Sequence, residues 1–333
     1  MTGRKPLREL RLAHVAVGAL TLAVPASAAA LAGGPRAASA DGRRAATQPG
    51  PIQAELRPHT VRYGRNVVLT GHAPAAHAGK TLTLQYEPAG QANWLTLAST
   101  TVDRSGRFRL TARLQRSGLV RVSGGGSPSA YSATVPVALA ASGASAPATA
   151  PQRVTVAADI RVPRRAVDVL GSESVHVRGR LLPAAAHRRV QLQALRAGHW
   201  VTIASARTGP RGRFDLRYGA GGLGHQRLRV RFRGDPANGG AIQRAGSVTV
   251  YRQTTASWYQ DGGSTACGFH AYYGVANVSL PCGSTVRFVN GGRTVTAVVD
   301  DRGPYVGGRA WDLNQNTAGA LGMGGVQTVW SSS

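Results

Sequence analysis

TVRFVNGGRTVTAVVDDRGPYVGGR, residues 285–309, carries the strongest structural signal in the chain. Two alternating apolar runs, at 285–289 and 294–299, flank the Asn-Gly-Gly sequence at 290–292, and this pattern predicts a β-hairpin. The second run leads into Asp-Arg-Gly-Pro-Tyr at 301–305, so charged side chains follow a strand directly into a turn. Because loops held by a rigid sheet are favoured places for binding and catalysis, we expect the functional site here.

Residues 1–31 predict a secretory signal peptide. Basic residues precede an alanine-rich apolar run at 12–31, and Ala-Ser-Ala at 26–28 matches a small-residue cleavage pattern. An uncleaved N-terminal anchor is the alternative, but a membrane-spanning helix needs ~20 strongly apolar residues, and Pro25 interrupts this run. We therefore expect a secreted, extracellular or cell-wall-associated protein with no stable membrane anchor after removal of the leader.

The chain contains two cysteines, Cys267 and Cys282, both in its last quarter. In an exported protein a close pair of cysteines most simply forms one disulfide, which would contribute ~3 kcal/mol on the chain-entropy model. The pair has neither the ligand set of a zinc site nor the Cys-x-x-Cys spacing of a redox motif. The sequence therefore predicts a disulfide, and it predicts no metal site and no cofactor.

Two segments of the chain are copies of one another. Trp94 recurs as Trp200 and Phe108 as Phe214, in both cases 106 positions later. Each copy contains short alternating apolar runs separated by Gly, Pro or Asp, which is typical of an immunoglobulin-like β-sandwich. We interpret the two tryptophans as core residues, with a sugar-stacking platform as the alternative.

Composition places the boundaries between the predicted domains. Segments 32–51 and 138–152 are rich in small residues, as expected for linkers. They leave one sandwich at 52–137, a second at 153–251 and a C-terminal domain at 254–333. The predicted fold class is therefore all-β.

The net charge of +26 is unevenly distributed. Residues before position 251 hold 35 of the 40 basic side chains and 10 of the 14 acidic ones. The basic character thus belongs to the sandwiches, where arginines at 227, 229, 231 and 233 alternate with apolar residues along one predicted strand. A solvated strand face is one interpretation, and adhesion to an anionic wall polymer is the other. Without evident base-stacking aromatics on these strands, we expect no nucleic-acid partner.

The C-terminal domain contains a series of short motifs that resemble one known family. They are, in order, Ala256-Ser257-Trp258-Tyr259, Thr265-Ala266-x-Gly268, Leu280-Pro281-x-Gly283, Gly292-Arg293, Asp301-Arg302-Gly303-Pro304-Tyr305, Gly308-Arg309 and Asp312-Leu313. The segment resembles the double-psi β-barrel of the rare lipoprotein A (RlpA) family of septal peptidoglycan lytic transglycosylases, with expansins as more distant relatives. The resemblance implies a six-stranded barrel, and the sequence adds one short helix at about 314–321.

The resemblance implies that Asp301 is the catalytic acid/base and that peptidoglycan glycan strands are the partner. A lytic transglycosylase can work with one carboxyl because the sugar's own 6-hydroxyl attacks, whereas hydrolysis by water normally needs two. Asp300 is adjacent, but successive strand residues face opposite sides, so we expect only one of the two to face the groove. Arg302 is expected to orient Asp301 or to bind a carboxylate of a peptide stem.

Two positions depart from the family pattern. Where the resembling family has a Glu and a His, this chain has Phe269 and Asn277. His270, one place from the first of these, is a candidate substitute that contacts the substrate, although a one-residue offset on a strand turns a side chain to the other face. We expect Asn277 to hydrogen-bond an N-acetyl group. These departures keep a non-catalytic, expansin-like glycan-binding module open as the alternative function.

Several further residues are candidates for substrate binding. Tyr259 and Tyr305 are predicted to offer aromatic surface to sugar rings, with core or turn packing as the alternative. Arg309 and Asp312 are candidates too, although Asp312 is equally suited to cap the predicted helix. A third hypothesis is a purely adhesive basic protein in which the barrel is structural.

Overall fold

The computed structural model describes residues 51–124, 148–260 and 262–333. The predicted signal peptide, most of the first linker, residues 138–147 of the second linker and residues 125–137 of the first predicted sandwich lie outside the described residues. The described chain is almost entirely β-structure, which confirms the predicted fold class. Within these ranges no helix is both long enough and apolar enough to cross a membrane.

The first sandwich consists of a three-stranded sheet, in the order β1-β3-β6, that packs on a larger sheet, in the order β5-β4-β7-β8-β2. Leu69 and Leu110 from the first sheet meet Leu84 and Val122 from the second in one buried core. The strands are β1 Gln53–Arg57, β2 Thr60–Arg62, β3 Asn66–His72, β4 Thr81–Pro88, β5 Leu95–Thr101, β6 Arg107–Arg113, β7 Gly118–Gly124 and β8 Gln152–Ala157, with a 3-10 turn at Ala75–His77.

Strand β8 corrects one predicted boundary. Residues 153–157 were expected in the second sandwich, yet β8 pairs with β7 and its Val154 and Val156 are buried in the first core. The first sandwich therefore takes its last strand from beyond the predicted linker. Sequence patterning missed this because the run is apolar enough for either core.

The second sandwich repeats the arrangement. A three-stranded sheet, β14-β11-β9, packs on a five-stranded sheet, β13-β12-β15-β16-β10. Val177 and Leu216 from the smaller sheet meet Leu192 and Val230 from the larger one in the buried core. The strands are β9 Asp159–Arg161, β10 Arg165–Leu170, β11 Ser174–Leu182, β12 Arg189–Arg196, β13 His199–Arg207, β14 Arg213–Gly219, β15 Gly224–Asp235 and β16 Asn238–Tyr259.

The C-terminal domain is a closed six-stranded barrel. Its strands follow the order β16-β20-β17-β19-β18-β21 and return to β16, so no edge is left open. The added elements are β17 Gly274–Ala276, β18 Thr285–Asn290, β19 Arg293–Asp301, β20 Trp311–Asn314, α1 Gln315–Leu321 and β21 Gln327–Ser331. Trp311 and Phe288 meet edge to face at 5.1 Å in the buried core.

The hairpin predicted from residues 285–299 is confirmed. Strands β18 and β19 pair antiparallel from Thr285↔Val298 to Asn290↔Arg293. Gly291 and Gly292 make the turn with φ of 53° and 80°. A two-residue turn that matches strand twist requires positive φ at both positions, which explains the paired glycines.

Strand β16 joins the second sandwich to the barrel without interruption. It pairs with β15 and β10 in the sandwich and with β21 and β20 in the barrel, so it passes straight through the boundary predicted at 251–254. At the junction the Tyr251 hydroxyl donates to Asp168 (3.1 Å), and Arg287 of the barrel lies 3.7 Å from the same carboxylate. Burial, with help from Asp168, raises the pKa of Tyr251 to about 12.

The two sandwiches also meet through buried polar contacts. Asn238 at the start of β16 donates to the carbonyls of Gln115 (2.8 Å) and Val156 (3.3 Å). The buried guanidinium of Arg188 donates to Asn238 (3.1 Å) and to Asp235 (2.8 Å). These bonds satisfy groups that would be costly to bury unpaired, so they fix the turn between β15 and β16 against the first sandwich.

Candidate functional site

A β-bulge at Asp300 sets the direction of the Asp301 side chain. Val275 pairs with Val299, but the next residue, Ala276, pairs with Asp301, so Asp300 is the extra residue of β19. Bulges re-aim side chains and are over-represented beside active sites. We expected that only one of the two aspartates would face outward, on the basis of simple strand alternation. Only Asp301 is partly exposed, but the bulge, which interrupts the alternation, decides which of the two it is.

Strand β17 lies between the two carboxylates of the candidate site. Ala276 is paired with Asp301 of β19 on one side and with Asp312 of β20 on the other. Neighbouring strands lie ~4.8 Å apart, which places the two backbones ~10 Å from each other. Asp312 stands between the buried residues Trp311 and Leu313, so it faces outward. The two acids thus flank one outer strip of the barrel.

The carboxylate of Asp301 is partly exposed and held from one side. Its Oδ1 accepts hydrogen bonds from the N–H groups of Ala266 and Arg302, both at 2.8 Å. In the described part of the chain, its Oδ2 has no hydrogen-bond partner. One oxygen therefore fixes the orientation of the group while the other is available for proton transfer.

Asp300, in contrast, is completely buried. Its Oδ2 accepts from the N–H of Ala271 at 2.9 Å, which ties the loop before β17 to the bulge. Gly274 makes room for this carboxylate, because a Cβ at that position would lie 2.2 Å from Asp300 Oδ2. Asp300 therefore belongs to the support of the site and does not face a substrate.

Asn277 has a structural role that differs from the predicted one. Its Oδ1 accepts from the N–H groups of Ser279 (3.1 Å) and Leu280 (2.8 Å), and its Nδ2 donates to the carbonyl of Ala310 (3.2 Å). The residue is only 9% exposed. We predicted a hydrogen bond to an N-acetyl group, but this amide closes a turn and fastens the loop that precedes β20.

Arg302 also differs from its prediction. Its Nη1 donates to the carbonyls of Asn277 (3.0 Å) and Leu280 (2.7 Å), and its Nη2 lies 3.0 Å from Cys282 Sγ. The guanidinium therefore fastens the 277–282 loop, and among the described residues the carboxylate of Asp301 is not one of its hydrogen-bond partners. Only the backbone N–H of Arg302 contacts that carboxylate.

The predicted disulfide is present between Cys267 and Cys282. It joins the loop whose Ala266 N–H holds Asp301 to the loop that Arg302 holds. Cys267 N–H also donates to the carbonyl of Asp300 (3.3 Å). The disulfide thus clamps two loops at the end of β19, directly beside the candidate acid/base.

Removal of the disulfide by Cys267→Ala together with Cys282→Ala is expected to destabilise the barrel by about 3 kcal/mol, because it frees a loop of about 15 residues in the unfolded chain. Urea unfolding of the full chain, followed by intrinsic tryptophan fluorescence, to which the buried Trp311 contributes, would measure the loss. Each single variant also breaks the disulfide and should lose about the same stability, which separates the effect of the bridge from the effect of either side chain. An unchanged unfolding midpoint would contradict the stabilising role.

The remaining predicted polar residues lie on different parts of the barrel. Asp312 accepts from the Ser257 hydroxyl at 2.8 Å, so it does not cap the helix. That place is taken by Asn314, whose side chain accepts from the N–H of Thr317. Arg309 is exposed near the end of the loop between β19 and β20, and His270 is exposed in the loop before β17.

Exposed aromatic side chains lie on the same two loops. Tyr305, four residues after Asp301, is 81% exposed, and Tyr272 is 72% exposed and packs edge to face against Tyr273 at 4.9 Å. Phe269 is exposed as well, whereas Tyr259 is partly buried. Trp258 is exposed as well, although its sequence motif alone did not indicate a contact with substrate. Aromatic faces of this kind suit stacking against apolar faces of sugar rings.

Comparison with known proteins agrees with the barrel topology. The family described as lytic transglycolase, a double-psi β-barrel family, matches residues 251–329. The C-terminal domain is therefore a double-psi β-barrel with a sequence similar to that family, and the match does not extend to the sandwiches. No curated protein matches the chain significantly. Among solved structures, the D0-D1 domain of intimin is similar at 10% identity over 59% of this chain and 98% of that chain, with a TM-score of 0.21, too low to support an argument.

Proposed function

We propose that the barrel acts on peptidoglycan glycan strands as a lytic transglycosylase, with Asp301 as its acid/base. One observation carries the proposal: a partly exposed carboxylate has one oxygen fixed by two backbone N–H groups, while the other has no hydrogen-bond partner among the described residues. It stands at the end of β19, inside the segment that is similar to the lytic transglycolase family.

The reaction needs one proton-transferring group. The sugar's 6-hydroxyl attacks the anomeric carbon, the glycosidic C–O bond breaks and a 1,6-anhydro ring forms. The carboxyl of Asp301 donates a proton to the departing oxygen, and its carboxylate takes the proton from the attacking hydroxyl. Protons balance without water, so the second carboxyl of a hydrolase is not required.

The exposed residues on the barrel loops favour a polymer over a small ligand. Tyr305 and Tyr272 are exposed on loops of the barrel and give sugar rings surfaces on which to lie. Arg309, exposed in the loop before β20, is a candidate partner for a carboxylate of a peptide stem. Asn277 and Arg302 keep the loops in place and are not assigned substrate contacts.

A second candidate function is a non-catalytic, expansin-like module that binds and loosens the wall. The observation that favours it is the use of the Asn277 amide within the fold, together with the apolar Phe269 at the other departing position. In that case Asp301 would bind a sugar hydroxyl without transferring a proton. Both proposed functions call for a location outside the cytoplasm, at the cell wall, which is the location expected from the predicted leader.

Digestion of denuded glycan strands by the full chain tests the proposal. Mass spectrometry should detect 1,6-anhydro ends that accumulate with time. Sedimentation with insoluble sacculi gives the complementary measurement. Binding without anhydro ends would replace the first function by the second, and the absence of both would leave only the adhesive hypothesis for the basic sandwiches.

A further inference from the structure

A row of arginines occupies the outer face of the larger sheet in the second sandwich. Along β15, Leu228, Val230 and Phe232 are buried in the core, so the residues that alternate with them face outward. The outward residues are Arg227, Arg229, Arg231 and Arg233. Residues two apart on a strand are ~7 Å apart, so the sheet presents evenly spaced positive charges.

Arg229 is held in one orientation by its neighbours. Its guanidinium lies over the ring of Trp200 at 4.1 Å, and its Nε donates to Gln193 Oε1 at 2.8 Å. Gln193 in turn donates to the Thr202 hydroxyl at 3.2 Å. A guanidinium fixed by stacking and by its Nε keeps both Nη groups for a ligand, and little entropy is then lost on binding.

The first sandwich contains the same three-residue unit. Arg121 lies over Trp94 at 4.0 Å, and its Nε donates to Gln85 Oε1 at 2.8 Å. Both tryptophans are absent from the buried cores, so the prediction that they are core residues was wrong. Their recurrence belongs to a surface unit of indole, guanidinium and amide that both copies retain.

Within the described residues, no ion pair neutralises the positive charge of this face. None of the four arginines on β15 has an ion-pair partner among residues 51–124, 148–260 and 262–333. Arg244 of β16 pairs in register with Arg229 and adds a further positive charge. Burial lowers the pKa of Arg229, and the charge of Arg231 lowers it further. On the opposite sheet, by contrast, Asp215 accepts from Arg178 at 2.9 Å.

We propose that this arginine row binds a linear phosphodiester polymer without bases, a polyol phosphate, with the Arg229–Trp200–Gln193 unit as its most ordered contact. Guanidinium forks match phosphate oxygens two at a time, and the regular spacing along β15 suits a polymer with one charge per repeat. The guanidinium occupies a face of the indole on which a base would otherwise stack, which disfavours single-stranded nucleic acid.

Fluorescence anisotropy of labelled poly(glycerol phosphate) with the full chain, over a series of NaCl concentrations, tests the proposal. The triple variant Arg227→Gln, Arg229→Gln, Arg231→Gln should weaken binding at least about ten-fold. It should also reduce the slope of log Kd against log salt by about 2, because each lost phosphate contact removes about 0.7 to 1 from that slope. The matched control is Arg180→Gln, Arg213→Gln, Arg217→Gln, which removes the same charge from the opposite sheet. An equal loss in both triples would overturn the proposal.

Two single variants separate a fixed guanidinium from simple charge. Trp200→Leu should weaken binding about three-fold at an unchanged salt slope, because only the stacking is lost. Arg229→Lys retains the charge but not the fork and should weaken binding about five-fold. If neither variant changes Kd while circular dichroism shows intact folding, the Arg229–Trp200–Gln193 unit is not the contact that we propose. Tighter binding to an oligo(dT) strand, or binding to anionic phospholipid vesicles without binding to the soluble polymer, would also overturn the proposal.

Discussion

Asp301→Asn is expected to lower the release of 1,6-anhydro ends by about 10²- to 10⁴-fold, which is the usual contribution of a general acid/base. In the unchanged protein the N–H groups of Ala266 and Arg302 donate to Asp301 Oδ1 at 2.8 Å. The oxygen of an asparagine can accept the same two hydrogen bonds. The loop geometry should therefore survive while proton transfer is lost. Initial rates of anhydro-end formation on denuded strands, measured by mass spectrometry, would give the effect.

Asp312→Asn is the matched control for that experiment. Asp312 flanks the same strand as Asp301, because Ala276 of β17 pairs with both acids. The Oδ1 of Asp312 accepts a hydrogen bond from the Ser257 hydroxyl at 2.8 Å, and an asparagine oxygen can accept the same bond. Because Asp312 is a candidate for substrate binding and not for proton transfer, the control should weaken binding at most, without a loss of turnover of about 10²- to 10⁴-fold, and should keep the unfolding temperature of the unchanged protein. Equal loss in both variants would show that the substitution disturbs the barrel, and an undiminished rate in Asp301→Asn would remove Asp301 from catalysis.

The hairpin and the barrel could be predicted from the sequence because their signals are local. Paired glycines between two alternating runs define the β18–β19 turn, and the ordered motifs resemble one known fold over the whole domain. The support around Asp301 could not be predicted in the same way. The bulge at Asp300 cannot be recognised from the sequence pattern of β19. The side chain of Asn277 donates a hydrogen bond to the carbonyl of Ala310, which lies far along the chain.

In the sandwiches, too, contacts between residues distant in sequence could not be predicted, as Trp94 and Trp200 show. A recurring Trp in a repeated β-domain is commonly a core residue, and nothing close to Trp200 in sequence indicates otherwise. The group that covers it, Arg229, comes 29 positions later, on a strand that reaches Trp200 only through tertiary pairing. Composition did indicate that the front of the chain is basic, but it could not tell which arginine would be held in place.

Gly274→Ala is expected to destabilise the barrel by about 3 kcal/mol, at the upper end of typical overpacking costs. The new Cβ would lie 2.2 Å from Asp300 Oδ2 and 2.7 Å from its Cγ, and this carboxylate is fully buried and bonded to the Ala271 N–H. Because Asp300 is the bulge residue next to Asp301, activity should fall along with stability. Gly319→Ala, where an added Cβ meets nothing within 4 Å in helix α1, should be neutral or slightly stabilising.

A double-mutant cycle tests whether the destabilisation by Gly274→Ala comes from the clash with the Asp300 carboxylate. Asp300→Ala alone leaves the Ala271 N–H without this acceptor and should cost about 1–3 kcal/mol. In Gly274→Ala with Asp300→Ala, the three atoms that would clash are gone, so the double variant should be more stable than the sum of the single losses predicts, by about 2 kcal/mol. Strictly additive losses in urea unfolding would mean that the glycine is required for another reason. Coupling of the expected sign would show that Gly274 is needed because the buried Asp300 carboxylate is there.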